Sequence, residues 1–141
     1  MFYLHVILGL IFGSFLNVLI YRMPKDISII YPGSQCIKCQ KSIKWYDNIP
    51  ILSFLLLHGK SRCCSKRISV QYPIIELCSS LLWIWSYLFL NDIFSKFLFL
   101  IVSSLLLVFI LTDWFHFIIP FELNLFMFFS IVGLKIFASN F

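Results

Sequence analysis

In 141 residues the chain carries 61% hydrophobic and 19% aromatic side chains but only 12% charged ones, against roughly 25% charged in a soluble domain. That balance excludes a water-soluble globule, whose surface so few polar side chains would not cover, and a disordered chain, which is short of apolar and aromatic residues. The formal charge of +5 is gathered in one stretch instead of spread over a surface, which argues against a nucleic-acid binder and leaves lipid as the main solvent.

Phe2 to Tyr21 is a run of 20 residues without Lys, Arg, Asp or Glu, about the length needed to cross a hydrocarbon core of roughly 30 Å as a helix. Residues 1–21 therefore read as a first membrane span. Neither a basic segment before Phe2 nor a small-residue cleavage site after the run marks it as a removed signal peptide. Residues 22–73 form a polar insert holding nine of the eleven basic residues, with only Asp26 and Asp47 as acids. Basic residues accumulate in cytoplasmic loops, so the insert is expected in the cytosol and the N-terminus outside. Residues 74–141 turn apolar again. Leu77 to Asn91 and Phe97 to Thr112 carry no charge and read as spans two and three joined by a tight turn. Trp114 to Phe137, interrupted by His116, Pro120, Glu122 and Lys135, reads as a fourth. The expected fold is an all-α polytopic bundle of about four spans, with a cytosolic cysteine-containing loop between the first two.

Cys36-Ile-Lys-Cys39 is a C-x-x-C, and Cys63-Cys64 follows it across the same insert. In a reducing cytosol disulfides are disfavoured, and metal becomes the leading use. Tetrahedral zinc takes four thiolate or imidazole ligands, usually from two C-x-x-C turns. The first turn fits. In the second, Ser61 stands three residues before Cys64, and a neutral hydroxyl is a poor zinc ligand. The candidate ligands are Cys36, Cys39, Cys64 and Cys63, with His58 within chain reach and the fourth place open. The competing reading is a set of ordinary thiols. Cys78, inside span two, reads as a small packing residue.

Span one places Gly9, Gly13 and Asn17 along one helical face, suited either to a dimer contact or to packing inside the chain's own bundle. Asp113, after Leu111-Thr112, is the first site candidate, because a carboxylate at a helix C-terminus and a membrane boundary opposes the helix dipole and is poorly solvated. The alternative is an interfacial acid in headgroup water. Glu76 and Glu122 are weaker candidates, and His116 reads as half-solvated. No Gly-rich phosphate loop, Ser-His-Asp arrangement or H-E-x-x-H occurs.

Gly13-Ser-Phe-Leu-Asn-Val-Leu-Ile-Tyr-Arg-Met-Pro24, Cys36-x-x-Cys39, Asp47-Asn-Ile-Pro50, Gly59-Lys60 and Ile68-Ser-Val-Gln-Tyr-Pro-Ile-Ile-Glu76 follow one another in an order that resembles the prepilin peptidases, the type IV leader peptidase and N-methyltransferase family. The resemblance covers about Gly9 to Pro120. It implies a multi-pass protein of the bacterial inner membrane that removes the basic leader from type IV pilin or type II secretion pseudopilin precursors at the cytosolic face. It also implies methylation of the new N-terminus from S-adenosylmethionine. Leu111-Thr-Asp113 followed by Ile119-Pro120 resembles the site of the family's first catalytic aspartate.

Three departures accompany the resemblance. Ser61 replaces a cysteine of the family's second pair. Phe121-Glu122 stands where Asp commonly follows Ile-Pro. The family's second aspartate, in a G-x-G-D motif, has no counterpart, since Ile131-Val-Gly-Leu-Lys135 is not it. Aspartic chemistry needs two carboxylates sharing a proton, one as acid and one as base, so Asp113 alone does not suffice. The chain reads as the N-terminal half of such an enzyme, with the second aspartate supplied by missing sequence or a partner chain. The alternative is a non-catalytic membrane adaptor whose basic loop holds prepilins or assembly proteins.

Overall fold

The computed structural model describes residues 1–116, 124–125, 128–130 and 132. Free of proline and acid, Phe2–Arg22 winds into α1. Pro24, lacking an N–H, then tightens the chain into a 3-10 turn over Met23–Lys25 that ends at Asp26 in the left-handed region, φ 53°. Within the insert lies one short helix, α2 (Leu52–Leu56). Two long helices follow, α3 (Gln71–Phe89) and α4 (Ile93–His116). Among the described residues there is no strand, only two isolated antiparallel bridges in the insert. The expected all-α class is the one observed.

Among the described residues, three helical stretches are long and apolar enough to cross a membrane: Phe2–Lys25, Gln71–Phe89 and Ile93–Trp114. The expected fourth span, Trp114 to Phe137, lies almost wholly outside the described residues. Two helix starts precede the uncharged runs that suggested them. α3 begins at Gln71 instead of Leu77, because Pro73 falls in the first turn, where its missing N–H costs nothing. Glu76 is thereby enclosed in the helix and is only 7% exposed. α4 begins at Ile93 because Asp92 caps it, Oδ2 accepting from the Ser95 N–H at 2.8 Å.

α1 and α3 approach most closely. A Cβ added at Gly9 would stand 2.5 Å from Ser80 Cα, and one at Gly13 would stand 2.6 Å from Glu76 Cα. The small residues therefore let two backbones of the same bundle touch, which is the intramolecular of the two readings of this face. Asn17 reinforces the contact by donating from Nδ2 to the Gly13 carbonyl and across to the Tyr72 carbonyl, both at 3.2 Å. α4 closes the bundle at the end where the insert leaves, with Leu16 and Ile20 of α1, Ile75 of α3 and Val108 of α4 buried together. The outer faces stay apolar and exposed, as in the stripe of Ile7, Ile11 and Phe15, spaced four apart along α1. That is the surface a bilayer covers and water does not tolerate at this extent.

Gly13→Ala should force the two backbones apart and cost about 1–3 kcal/mol, the usual range for overpacking. Unfolding of the purified protein in mixed micelles measures this. Unchanged stability would show that α1 and α3 do not meet at Gly13.

Candidate functional site

Two turns of the insert share one backbone plan. In the first, Gln35 and Ser42 bridge. The Cys36 N–H donates to the Lys41 carbonyl at 2.9 Å, and the Gln40 N–H donates to the Cys36 carbonyl at 2.8 Å. In the second, Lys60 and Arg67 bridge, and both equivalent bonds, Ser61 N–H to Lys66 carbonyl and Ser65 N–H to Ser61 carbonyl, are 2.8 Å. Gln40 and Ser65 each complete their turn with positive φ, 57° and 54°. Position by position, Ser61 corresponds to Cys36, Cys64 to Cys39, and Cys63 to Lys38. In side chains the two turns share only Cys39 with Cys64, Lys41 with Lys66 and Ile43 with Ile68; the fuller repeat lies in the backbone.

The turns face each other and bring four sulfurs together. The Sγ atoms of Cys36, Cys39, Cys63 and Cys64 all lie within 4.8 Å of one another, with Cys36 to Cys64 at 3.7 Å and Cys39 to Cys63 at 3.1 Å. A tetrahedral thiolate set with metal–sulfur bonds of about 2.3 Å has edges of about 3.8 Å. The group is therefore of the size that holds one metal ion. Cys63 provides its sulfur although it stands one position away from the regular one. His58 is not part of the group, and Ser61 sits at its rim, Oγ 3.1 Å from Cys64 Sγ.

The sulfurs differ in acidity. Burial raises Cys36, but the backbone groups of Cys39 and Lys38 and the neighbouring thiols outweigh it and bring the group down to about 6. Cys63 is pushed up to about 12, first by its hydrogen bond with Cys39 and then by desolvation. Ser61 and the Lys66 backbone lower Cys64. The neighbours thus favour the thiolate at Cys36 and the thiol at Cys63, and a bound metal would displace the proton that remains.

Two contacts hold this group in place, one within the insert and one to the bundle. Arg62 of the second turn grips Asp47, Nε lying 3.0 Å from both carboxylate oxygens and Nη2 2.9 Å from Oδ1. Glu76 of α3 reaches into the insert and accepts from the Ile51 N–H at 2.8 Å, at the start of α2. Arg22, at the end of α1, organises the opposite side of the insert by donating to the carbonyls of Ser28 at 2.8 Å and Gly33 at 2.9 Å. None of these pairings is evident from sequence spacing. The available signals were that Asp47 is one of two acids among nine bases, and that Glu76 is an acid at the edge of a span.

Asp113 lies in the last turn of α4, exposed, next to Thr112, which is fully buried with Oγ1 donating to the Phe109 carbonyl at 3.0 Å. Because Val108 packs on Ile20 and Ile75, this turn returns to the end of the bundle from which the insert leaves. Glu122 lies outside the described residues, as do Ile119, Pro120 and the 131–135 segment apart from Val132. His116 ends the α4 backbone.

A family described as the bacterial peptidase A24 N-terminal domain matches residues 7–90, a stretch that includes the four cysteines and Glu76 and stops before Asp113. The chain is 40% identical over 125 residues to a prepilin leader peptidase/N-methyltransferase of Myxococcus xanthus, covering 84% of this chain and 35% of that protein. It is 38% identical over 140 residues to the protein so named in Pectobacterium carotovorum, covering 84% and 50%. It is 46% identical over 82 residues to that of Klebsiella pneumoniae, covering 54% and 36%. The chain thus spans about a third to a half of the length of these relatives. No solved structure matches it.

Glu76→Leu should release α2. Leaving the part-buried Ile51 N–H without its acceptor costs up to about 1–3 kcal/mol, so tryptic cleavage at Lys44 or Lys60 should run up to roughly 5- to 150-fold faster. Glu76→Gln keeps an acceptor and should stay near wild type. Equal cleavage rates for the Leu variant and wild type would show that Glu76 does not hold the insert.

Proposed function

We propose that this chain, which belongs to the bacterial peptidase A24 N-terminal domain family, acts as part of a prepilin leader peptidase/N-methyltransferase and supplies the metal-bearing insert and the first aspartate of such an enzyme. In this reading it is a multi-pass protein of the bacterial inner membrane with the insert in the cytosol. Asp113 is one of two carboxylates of an intramembrane aspartic endopeptidase acting on type IV pilin or type II secretion pseudopilin precursors. The single observation that carries the reading is that α4 returns Asp113 to the end of the bundle where the insert leaves. A substrate held by the insert would there meet a carboxylate at the boundary of a span.

One of the two carboxylates must be protonated to polarise the scissile carbonyl while the ionised one activates water. Asp113 fills one role, and the other carboxylate comes from sequence or a chain beyond these residues. Methyl transfer from S-adenosylmethionine rests on the family alone. Two crevices between α3 and α4, of about 280 and 170 Å³, are lined almost entirely by apolar side chains such as Phe99, Leu107 and Ile110, which suit lipid or a substrate helix better than a sulfonium nucleoside. A non-catalytic adaptor would use the same insert without needing Asp113.

The isolated chain should leave a prepilin uncut, and an assembly that supplies the second aspartate should cleave it. In that assembly Asp113→Asn should abolish cleavage, a loss beyond the roughly 10²- to 10⁴-fold of acid–base assistance alone, and Glu122→Gln should cost much less. Leader removal followed on a gel reads all of these. Full cleavage by the Asp113→Asn assembly would reduce Asp113 to an interfacial acid and favour the adaptor.

For the metal we propose structural zinc, because four sulfur donors at tetrahedral spacing in a reducing compartment match its chemistry. The chain should purify with one zinc. Cys63→Ser should lose it, and the double variant Ser61→Cys with Cys63→Ser should regain it, since Ser61 already occupies the regular ligand position of the second turn. If metal analysis finds no zinc in the wild type or in the double variant, the cysteines are structural thiols.

A further inference from the structure

The insert carries an apolar surface that its own packing does not use. Phe54 of α2 and Leu57, which caps it, are half-buried, the Phe54 ring lying against Gly59, where an added Cβ would stand 3.2 Å from Phe54 Cζ. The other side of the same helix presents Leu52, Leu55 and Leu56, spaced three and four apart on one face and 57%, 62% and 77% exposed. Trp45, in the neighbouring 3-10 turn Trp45–Asn48, is 80% exposed. A surface meant for water would carry polar side chains at these positions.

The clasp described above decides what this surface meets. The Ile51 N–H, at the head of α2, is bonded at 2.8 Å to Glu76, which sits in the second turn of a membrane span. α2 is therefore held at the level where that span leaves the hydrocarbon, whichever side of the membrane the insert faces. Tryptophan concentrates at that depth, and short helices with apolar faces lie in it. The insert around it carries nine basic residues against two acids, the complement of an anionic headgroup layer. We propose that Trp45 and the Leu52, Leu55, Leu56 face of α2 dock into the anionic interface of the bilayer that α1 and α3 cross, so that the insert rests on the membrane surface instead of standing free. This inference depends on the spans and not on the peptidase reading.

The test uses the full chain, metal retained, in bilayers of phosphatidylcholine with or without phosphatidylglycerol. Trp83→Phe, Trp85→Phe and Trp114→Phe leave Trp45 as the sole tryptophan. Lipids carrying a nitroxide near the headgroup should quench its emission more strongly than lipids labelled deep in the chain. Aqueous iodide should quench it several-fold less than it quenches free tryptophan, and phosphatidylglycerol should strengthen both effects. Leu55→Glu with Leu56→Glu should restore iodide access. Should that pair disturb folding, Leu55→Trp in a Trp45→Phe background reports depth without charge, and it should behave as Trp45 does. Free iodide access with no lipid quenching at either reporter would overturn the proposal. So would protection that appears only with rising protein density, the mark of a second copy, or only on adding a prepilin, the mark of a substrate surface.

Discussion

Backbone contact between α1 and α3 is the constraint on which the other features rest. In lipid there is no hydrophobic drive to pull two apolar helices together, so association depends on close van der Waals fit and on interhelical hydrogen bonds. Gly9 and Gly13 provide the fit by leaving no Cβ between α1 and the Ser80 and Glu76 backbone. Asn17 adds the bond to the Tyr72 carbonyl. The two ends of the insert, one leaving α1 and the other entering α3, are thereby fixed side by side.

From that contact the remaining geometry follows in steps. Closing the gap at Gly13 sets Glu76 at the seam, where its carboxylate accepts the Ile51 N–H and ties α2 to the bundle. α2 leads through the Gly59 turn into the second cysteine turn, which Arg62 fastens to Asp47. The first cysteine turn then meets the second with four sulfurs in mutual reach. α4 adds the last piece, packing Val108 on Ile20 and Ile75 so that Asp113 ends on the insert's side.

Much of this was legible in the residues. Charge-free runs located all three described spans, because in lipid each charge is costly and its absence is a length signal. Start positions were less legible: α3 recruits Gln71 to Glu76 because Pro73 fits a first turn and Glu76 finds a backbone donor 25 residues away, a pairing no local pattern encodes. The C-x-x-C at Cys36 was legible as one half of a metal group. Its counterpart was half hidden, since the second turn repeats the backbone of the first while putting serine at the regular position and a sulfur one residue off. Only folded geometry shows that Cys63 still reaches the other three. The Gly9 and Gly13 face was legible as a contact, but its partner was not, because a dimer and an intramolecular seam ask for the same small residues.

The central claim is that the cysteine turns and Asp113 share one end of the bundle, which the proposed function sets on the cytosolic side. A membrane-impermeant maleimide applied to intact cells tests it most directly, with the native cysteines reporting the insert, Trp114→Cys reporting the Asp113 turn, and Asn91→Cys reporting the turn between α3 and α4. The account predicts labelling of Asn91→Cys alone from outside, and labelling of all three positions, once metal is removed, after the cells are opened. External labelling of the insert with Asn91→Cys silent would invert the chain, and external labelling of Trp114→Cys with the insert protected would separate Asp113 from the insert and contradict the account.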